Sequence, residues 1–397
     1  MNSIRISTLK IIEPILSKPF YGIINDLTLN MPDTPPYIPR VLPLESIDWE
    51  SHIHEMYEAN SAISTYNGIL LSIRNPHLLL SPLLFREAYL SSRIEGTKLS
   101  LEEVLRYGAN SEEGLTPEEK NEAREVINYR FALQAAISER KKHPIGINTL
   151  RVLHRVLMRG VRGQEKRPGE IRREIVYVVG RDGKYFVPPE PQDLMNALTN
   201  WEIYLNSTER NPLVQLAILK AQFELIHPFA DGNGRIGRML VPLILSEKQI
   251  IKSPDFYISS YFDKNRDEYL DKLWNISQSE DWDGWISFFL IAINKQADEN
   301  CNKALEIINL HRDMEQKIPD ITHSQYSSHI LRAIFSNPIF SSRQFVSISK
   351  IPKTTANGLL KKLEESEILV VLQPGQGRRP AYYGFPKLMD ITDAPVL

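Results

Sequence analysis

Apolar residues recur at spacings of three and four over 49–75, 83–95, 117–140, 147–158, 192–206, 212–226, 235–248 and 281–315. That period lines up one face of a helix, so each stretch is expected to be helical and the fold mainly α. Thr116-Pro-Glu-Glu119 supports one start, with a capping threonine, then proline, then acids suited to a helix's first turn. One island departs from the pattern. Ile175-Val-Tyr-Val-Val179 and Lys184-Tyr-Phe-Val187 are β-branched and aromatic runs on either side of Gly180-Arg-Asp-Gly183, which predicts a β-hairpin. Alone in a helical body, a hairpin keeps at least one unpaired edge unless something uses it, and on this ground it can equally be a minor surface feature.

The two ends differ from the middle. Residues 1–47 carry Pro32, Pro35, Pro36, Pro39 and Pro43 without lasting periodicity and read as an extended arm. Residues 326–397 hold nine basic side chains against five acidic ones, a net of +4, and read as a small separate domain. Between them lie an N-terminal helical region, 48–115, and a larger helical core, 116–315. Within the last segment, 327–335 suggests a helix. Residues 341–349 and 351–363 suggest a helix, a turn and a second helix, and 370–372 and 381–385 suggest two strands around a Gly-rich loop. This arrangement resembles a winged helix-turn-helix. Lys353, Thr354, Asn357, Arg378 and Arg379 would suit phosphate contacts, whereas Glu364, Glu365 and Glu367 oppose them. DNA binding, dimerisation and target docking all stay open for it.

Composition narrows the class. The 397 residues are 42% hydrophobic and 24% charged, which is globular composition. Forty-seven Lys plus Arg against forty-nine Asp plus Glu, a net of −2, provide no global attraction to nucleic acid or anionic membrane. The N-terminus lacks the apolar run of a signal peptide, and no stretch reaches the about 18 apolar residues of a membrane span. A single cysteine, Cys301, excludes an internal disulfide framework and reads as a core residue. Together these features lead to the expectation of a cytoplasmic protein with no membrane partner. His52 and His54 read as a solvated helix face, and His143-Pro144 as a plain loop.

The chemistry concentrates after residue 226. The stretch 212–226 runs into His227-Pro-Phe-Ala-Asp-Gly-Asn-Gly-Arg-Ile-Gly-Arg238, after which helical spacing resumes. Gly232 and Gly234 permit loop conformations that side chains forbid, and a loop opening onto a helix N-terminus is an anion cradle suited to phosphate. Asp231 supplies a hard oxygen for Mg2+, Arg235 and Arg238 lie one turn apart, and His227 is the titratable base at the entrance.

At every fixed position the segment is similar to the signature of the Fic family. The likeness extends to 168–173, to the hairpin and to Pro188-Pro189. It implies a Fic-type helical core with a β-hairpin flap, and an enzyme that transfers AMP from Mg-ATP to a Ser, Thr or Tyr hydroxyl of a protein, itself included among the candidate targets. On that resemblance His227 is the general base and Asp231 the Mg2+ ligand. Gly232, Asn233, Gly234 and Arg235 hold the phosphates, Arg238 aligns the γ-phosphate, and Phe229 is a buried anchor. Tyr177, Val178, Val179, Tyr185, Phe186 and Val187 form the flap that docks the target. Upstream, Ser91-Ser-Arg-Ile-Glu-Gly96 resembles the family's inhibitory helix motif. Ser91 and Glu95, four apart, share a helix face, and Gly96 is suited to end the helix. The likeness implies that Glu95 pairs with Arg238 in place of the γ-phosphate. It also makes a homodimer reasonable. Two rivals stay open: a DNA-binding regulator whose body is a sensor scaffold, and a hydrolase removing AMP through the same pocket.

Overall fold

The computed structural model describes residues 23–24, 34–112, 114–140, 142–161, 167–179 and 185–394. The Gly180-Arg-Asp-Gly183 turn and most of the expected arm lie outside these residues. In chain order the elements are β1 (Ile23–Ile24), α1 (Ile53–Ser72), α2 (Pro76–Leu79), α3 (Ser81–Ile94), α4 (Leu101–Gly108), α5 (Pro117–Arg140), α6 (Ile147–Leu157), β2 (Tyr177–Val179) and β3 (Tyr185–Phe186). They continue as α7 (Leu194–Leu205), α8 (Pro212–Ile226), α9 (Asn233–Glu247), α10 (Ser259–Lys264), α11 (Arg266–Ser279) and α12 (Trp282–Thr322). The C-terminal unit contains α13 (Ser327–Ile334), β4 (Ile339–Ser341), α14 (Ser342–Ser349), α15 (Lys353–Glu365), β5 (Val370–Gln373), β6 (Tyr382–Gly384) and α16 (Pro386–Ile391).

The central helix is α8. It is apolar nearly all round and buried along its whole length apart from Glu224 and Pro212, as a helix packed on every side must be. Asn211 caps it by accepting from the Leu213 and Val214 amides, and Pro212 needs no amide partner at the first position. Indole N–H groups of Trp201 on α7 and Trp285 on α12 donate to its Leu219 and Ala217 carbonyls, each at 2.8 Å, tying three helices together without leaving either ring donor unpaired. At the start of α5 the expected cap is a reciprocal pair. Thr116 Oγ1 accepts from the Glu119 amide, and Glu119 Oε2 accepts from the Thr116 amide.

The hairpin does not stand alone. The register Ile23↔Val178 and Ile24↔Tyr177 adds β1 antiparallel to β2, giving the order β1-β2-β3. The β2 edge is thus used, and residues of the N-terminal arm are what use it. Past β3, the Tyr37 amide donates to the Val187 carbonyl at 2.8 Å, and the Tyr37 ring lies 5.7 Å from that of Phe186.

Helix α12 extends seven residues beyond its expected end and carries the C-terminal unit on its second half. That unit has a three-stranded sheet of order β4-β6-β5 and three helices before its β5–β6 loop, and its apolar core is continuous with that of the body. Ser81 Oγ donates to the Ser336 carbonyl, Gln344 Nε2 to the Gly108 carbonyl, and Arg86 pairs with Asp393 and Glu299. Cys301 is buried on α12. His52 is also buried, 2.9 Å from Asp283 across the α1–α12 contact, which corrects the solvated reading; its neighbour His54 does face solvent. Among the described residues no helix is long and apolar enough to cross a membrane.

Candidate active site

The loop between α8 and α9 is built around two left-handed residues. His227 (φ 50°) ends α8 and Gly232 (φ 79°) precedes α9. A side chain at Gly232 would also meet Leu157 Cδ2 at 3.1 Å, so glycine is needed there for both backbone and space. Asn233 stabilises the turn reciprocally, with Oδ1 accepting from the Phe229 amide at 3.0 Å and Nδ2 donating to the Phe229 carbonyl at 2.8 Å. Its side chain is thus spent on loop shape, and what it can offer an anion is its backbone amide. Phe229 is fully buried and stacks on His154 with ring centroids 4.1 Å apart.

Arg172 holds this loop to the flap. Its amide donates to the Pro228 carbonyl, and its guanidinium donates to the carbonyls of His227, Glu174 and Pro189 at 2.6–2.9 Å. The resemblance over 168–173 marked this segment without assigning Arg172 a role. The burial that marks Arg172 is visible only in the structure.

His227 Nδ1 lies 3.2 Å from the Glu224 carbonyl, an acceptor only, so Nδ1 carries the proton and Nε2 is the basic nitrogen, which makes no hydrogen bond within the protein. Burial, helped by Arg172, pushes this imidazole down to about 4. It is neutral at physiological pH. His154 is likewise pushed down to about 4 by burial, and its Nδ1 accepts from the Gly169 amide at 2.8 Å.

Arg238 is an almost wholly enclosed cation. Its Nε donates to Ser91 Oγ and its Nη2 to the Ser91 carbonyl, both at 2.8 Å, while Nη2 also meets Glu95 Oε1 at 2.5 Å. The guanidinium is 1% exposed, whereas Glu95 is 37% exposed toward the cavity. Burial opposes the Glu95 charge, but the Arg238 guanidinium outweighs it and holds the carboxyl below its usual range. A Cβ at Gly234 would collide with the same carboxylate, so Glu95 lies against the N-terminus of α9, where an anion would bind. Gly96 (φ 103°) follows the end of α3 in a conformation suited to glycine.

Arg235 is placed differently from the simple expectation of a phosphate ligand. It borders the cavity, but its guanidinium is engaged by Glu125 and by Asp231. Asp231 Oδ1 also accepts from the Gly232 amide at 2.6 Å, and the carboxylate is about a third exposed. Among the described residues no three His, Cys, Asp or Glu side chains converge as a metal cage. A single hard carboxylate beside an anion cradle fits a metal that brings its other ligands with a phosphate, as Mg2+ does.

These groups face one cavity of about 430 Å3, within the range of small-molecule sites. His227, Asp231, Gly232, Asn233, Gly234, Arg235 and Arg238 line one side, and Glu95 closes it from α3. Leu270, Leu273 and Trp274 of α11 form an apolar wall that periodicity did not find. Of the flap residues, Val178 and Phe186, which face each other in register, reach the cavity. Val179 and Val187 are buried, and Tyr177 and Tyr185 are half-buried at the strands.

Residues 53–138 match the family model described as Fic/DOC family N-terminal, and residues 144–245, which include the whole loop, match the one described as Fic/DOC family. The two matched regions belong to the Fic/DOC family. Protein adenylyltransferase Fic of Drosophila melanogaster is 32% identical over 207 residues, 51% of this chain and 38% of that protein. Protein adenylyltransferase fic-1 of Caenorhabditis briggsae is 32% identical over 169 residues, 41% and 31% of the respective chains. The chain thus spans less than half the length of these curated relatives. Its fold is shared by a Fic family protein from Desulfovibrio desulfuricans G20, with a TM-score of 0.57, 22% identity, and coverage of 88% of this chain and 98% of that one. A fragment of Fic-1 from C. elegans superposes with a TM-score of 0.51 at 20% identity, covering 66% of this chain and 74% of that one.

Proposed function

We propose that this protein is an adenylyltransferase that transfers AMP from Mg-ATP to a hydroxyl of a protein and is restrained by its own Glu95. The observation that carries the reading is the Glu95–Arg238 pair at the N-terminus of α9, beside a neutral His227 whose Nε2 has no protein partner. A carboxylate there fills the place of a phosphate and removes the cation that a triphosphate needs.

With Glu95 displaced, the amides of Gly232, Asn233 and Gly234 receive phosphate oxygens, Arg238 aligns the terminal phosphate, and Arg235 keeps Asp231 oriented. Asp231 is the residue that would hold Mg2+, which supplies charge neutralisation on the phosphates. A target Ser, Thr or Tyr oxygen attacks the α-phosphorus, its proton passing to His227 Nε2. The new O–P bond forms as the bond to the β-phosphate's bridging oxygen breaks and pyrophosphate leaves. Base positioning of this kind contributes about 10²- to 10⁴-fold. The apolar wall on α11 takes the base, and the flap, with Val178 and Phe186 at the cavity, presents the target. The setting we propose is cytoplasmic.

The test is incorporation of α-labelled ATP, with Mg2+, into the protein itself and into lysate by wild type, Glu95→Gly and His227→Ala. Label that appears with Glu95→Gly and vanishes when His227→Ala is added supports the reading. Absence of label with each of the four NTPs sinks it. Loss of label from pre-modified target would favour the AMP-removing alternative.

A second reading concerns the C-terminal unit, which we propose contacts DNA as a winged helix. Lys353, Thr354, Asn357 and Lys361 are exposed along α15, with Arg343, Arg378 and Arg379 exposed beside them. A salt-dependent gel shift with duplex DNA, lost on Arg378→Ala/Arg379→Ala, checks it.

A further inference from the structure

Beneath the cavity lies a buried cation for which the reaction has no use. Lys220, on α8, is 0% exposed. Its ammonium donates to Tyr269 Oη at 2.5 Å and to Glu224 Oε1 at 2.9 Å, and it lies 4.2–5.1 Å from the ring centroids of Tyr269, Trp285 and Phe262. The Tyr269 hydroxyl is 2.9 Å from each Glu224 carboxylate oxygen. Such burial is costly for an ammonium, and it pushes Lys220 down to about 8, with Glu224 working the other way.

Glu224 explains why the cost is tolerated. Its carboxylate faces the cavity and abuts α9, so closely that a Cβ at Gly237 would lie 2.6 Å from Oε1. Glu224 also helps hold the charge on Arg238, the next residue along, although the arginine's hydrogen bonds go to Ser91 and Glu95. Arg238 therefore has two carboxylates within electrostatic reach on the cavity side. One belongs to the brake and can leave with α3. The other is on the rigid central helix and cannot.

We propose that Lys220 is a positioning residue that reserves Arg238 for the nucleotide, by holding Glu224 so that it cannot become a second, permanent inhibitory carboxylate. With Lys220 on Oε1 and the Tyr269 hydroxyl within reach of both oxygens, Glu224 is held in place and its charge balanced. Without Lys220, an uncompensated buried carboxylate turns to the cation already within its electrostatic reach, which is Arg238, left without its own carboxylate partner once Glu95 has gone. The inference rests on the nucleotide reading above.

The experiment uses the full chain in the Glu95→Gly background, measuring Mg-ATP affinity by calorimetry together with kcat and KM from labelling. Lys220→Met is expected to weaken ATP binding and raise KM about tenfold or more, the scale of one charged hydrogen bond, with kcat changed far less. Lys220→Met/Glu224→Gln is expected to return affinity to near that of the parent. Glu224→Gln alone, which keeps the size and one accepting oxygen of the side chain, is expected to bind ATP at least as tightly as the parent. Unchanged affinity in Lys220→Met, a loss that Glu224→Gln does not rescue, or weaker binding by Glu224→Gln alone would each overturn the inference. Failure of the Glu95→Gly parent itself to bind any nucleotide would instead remove the functional reading, and this inference with it.

Discussion

At the scale of the residue, the site is governed by groups held in one protonation state by burial. His227 and His154, both pushed down to about 4, ionise near 6.5 once exposed. Because the unfolded chain then binds more protons, this contribution to stability is complete above about pH 6.5 and is lost as pH falls toward 4. Thermal melts between those limits are expected to fall less steeply for His154→Gln than for wild type. In catalysis the consequence is opposite to that of an ordinary histidine, whose basic form would drop about fourfold from pH 7.5 to pH 6. In Glu95→Gly, kcat should change less than twofold over that range, and a fourfold fall would show that His227 titrates as an ordinary imidazole in the working enzyme. Arg172 has a double role, since it clamps the loop and helps depress His227. Arg172→Lys keeps a charge but cannot span three carbonyls, so labelling by Glu95→Gly should fall on the order of tenfold or more. Gly232→Ala meets Leu157 at a left-handed φ and should cost about 1–3 kcal/mol, read from denaturant midpoints.

At the scale of the element, the N-terminal arm changes the meaning of the flap. A strand edge is a site for backbone pairing, and β1 occupies the edge of β2 while Tyr37 holds the residue after β3. An incoming target segment that pairs with β2 must displace residues of the same chain. Removing residues 1–33 is therefore expected to raise labelling of exogenous protein by Glu95→Gly several-fold without altering ATP affinity. No change in labelling would mean that targets dock elsewhere. The residue pattern anticipated the hairpin, because runs of β-branched and aromatic residues on either side of a glycine turn are local information. The arm's strand escaped it, since two residues carry too little periodicity to register, and their pairing is with residues about 150 positions away.

At the scale of the whole molecule, the restraint proposed for Glu95 is not confined to the catalytic body. The helix that ends at Glu95 carries Arg86, which is buried and paired with Asp393 of the C-terminal unit and with Glu299 of α12. Ser81, the first residue of the same helix, donates to the Ser336 carbonyl. The C-terminal unit thus grips α3 at its N-terminal end while Arg238 grips it at the other. Asp393→Asn should lower the melting temperature by a few degrees and raise labelling by the wild-type enzyme, yet leave the rate of Glu95→Gly unchanged, because that variant has no brake to release. An equal rise in both backgrounds would show that the contact acts on something other than Glu95.

The amino-acid sequence by itself determined the helical character, the hairpin, and the loop from His227 to Arg238. In each of these the physics is local: a 3.6-residue period, runs of β-branched and aromatic residues around a turn, or glycines whose backbone freedom is intrinsic. It also marked Ser91, Glu95 and Gly96 as one helix end. Tertiary structure alone decided that this end meets Arg238 across 143 positions, that Arg235 turns to Glu125 and Asp231, and that Asn233 shapes the loop through its side chain. It also decided that α11 walls the cavity and that Lys220 and Tyr269 restrain Glu224. Such contacts depend on which faces of distant helices pack together, and no period along the chain records that.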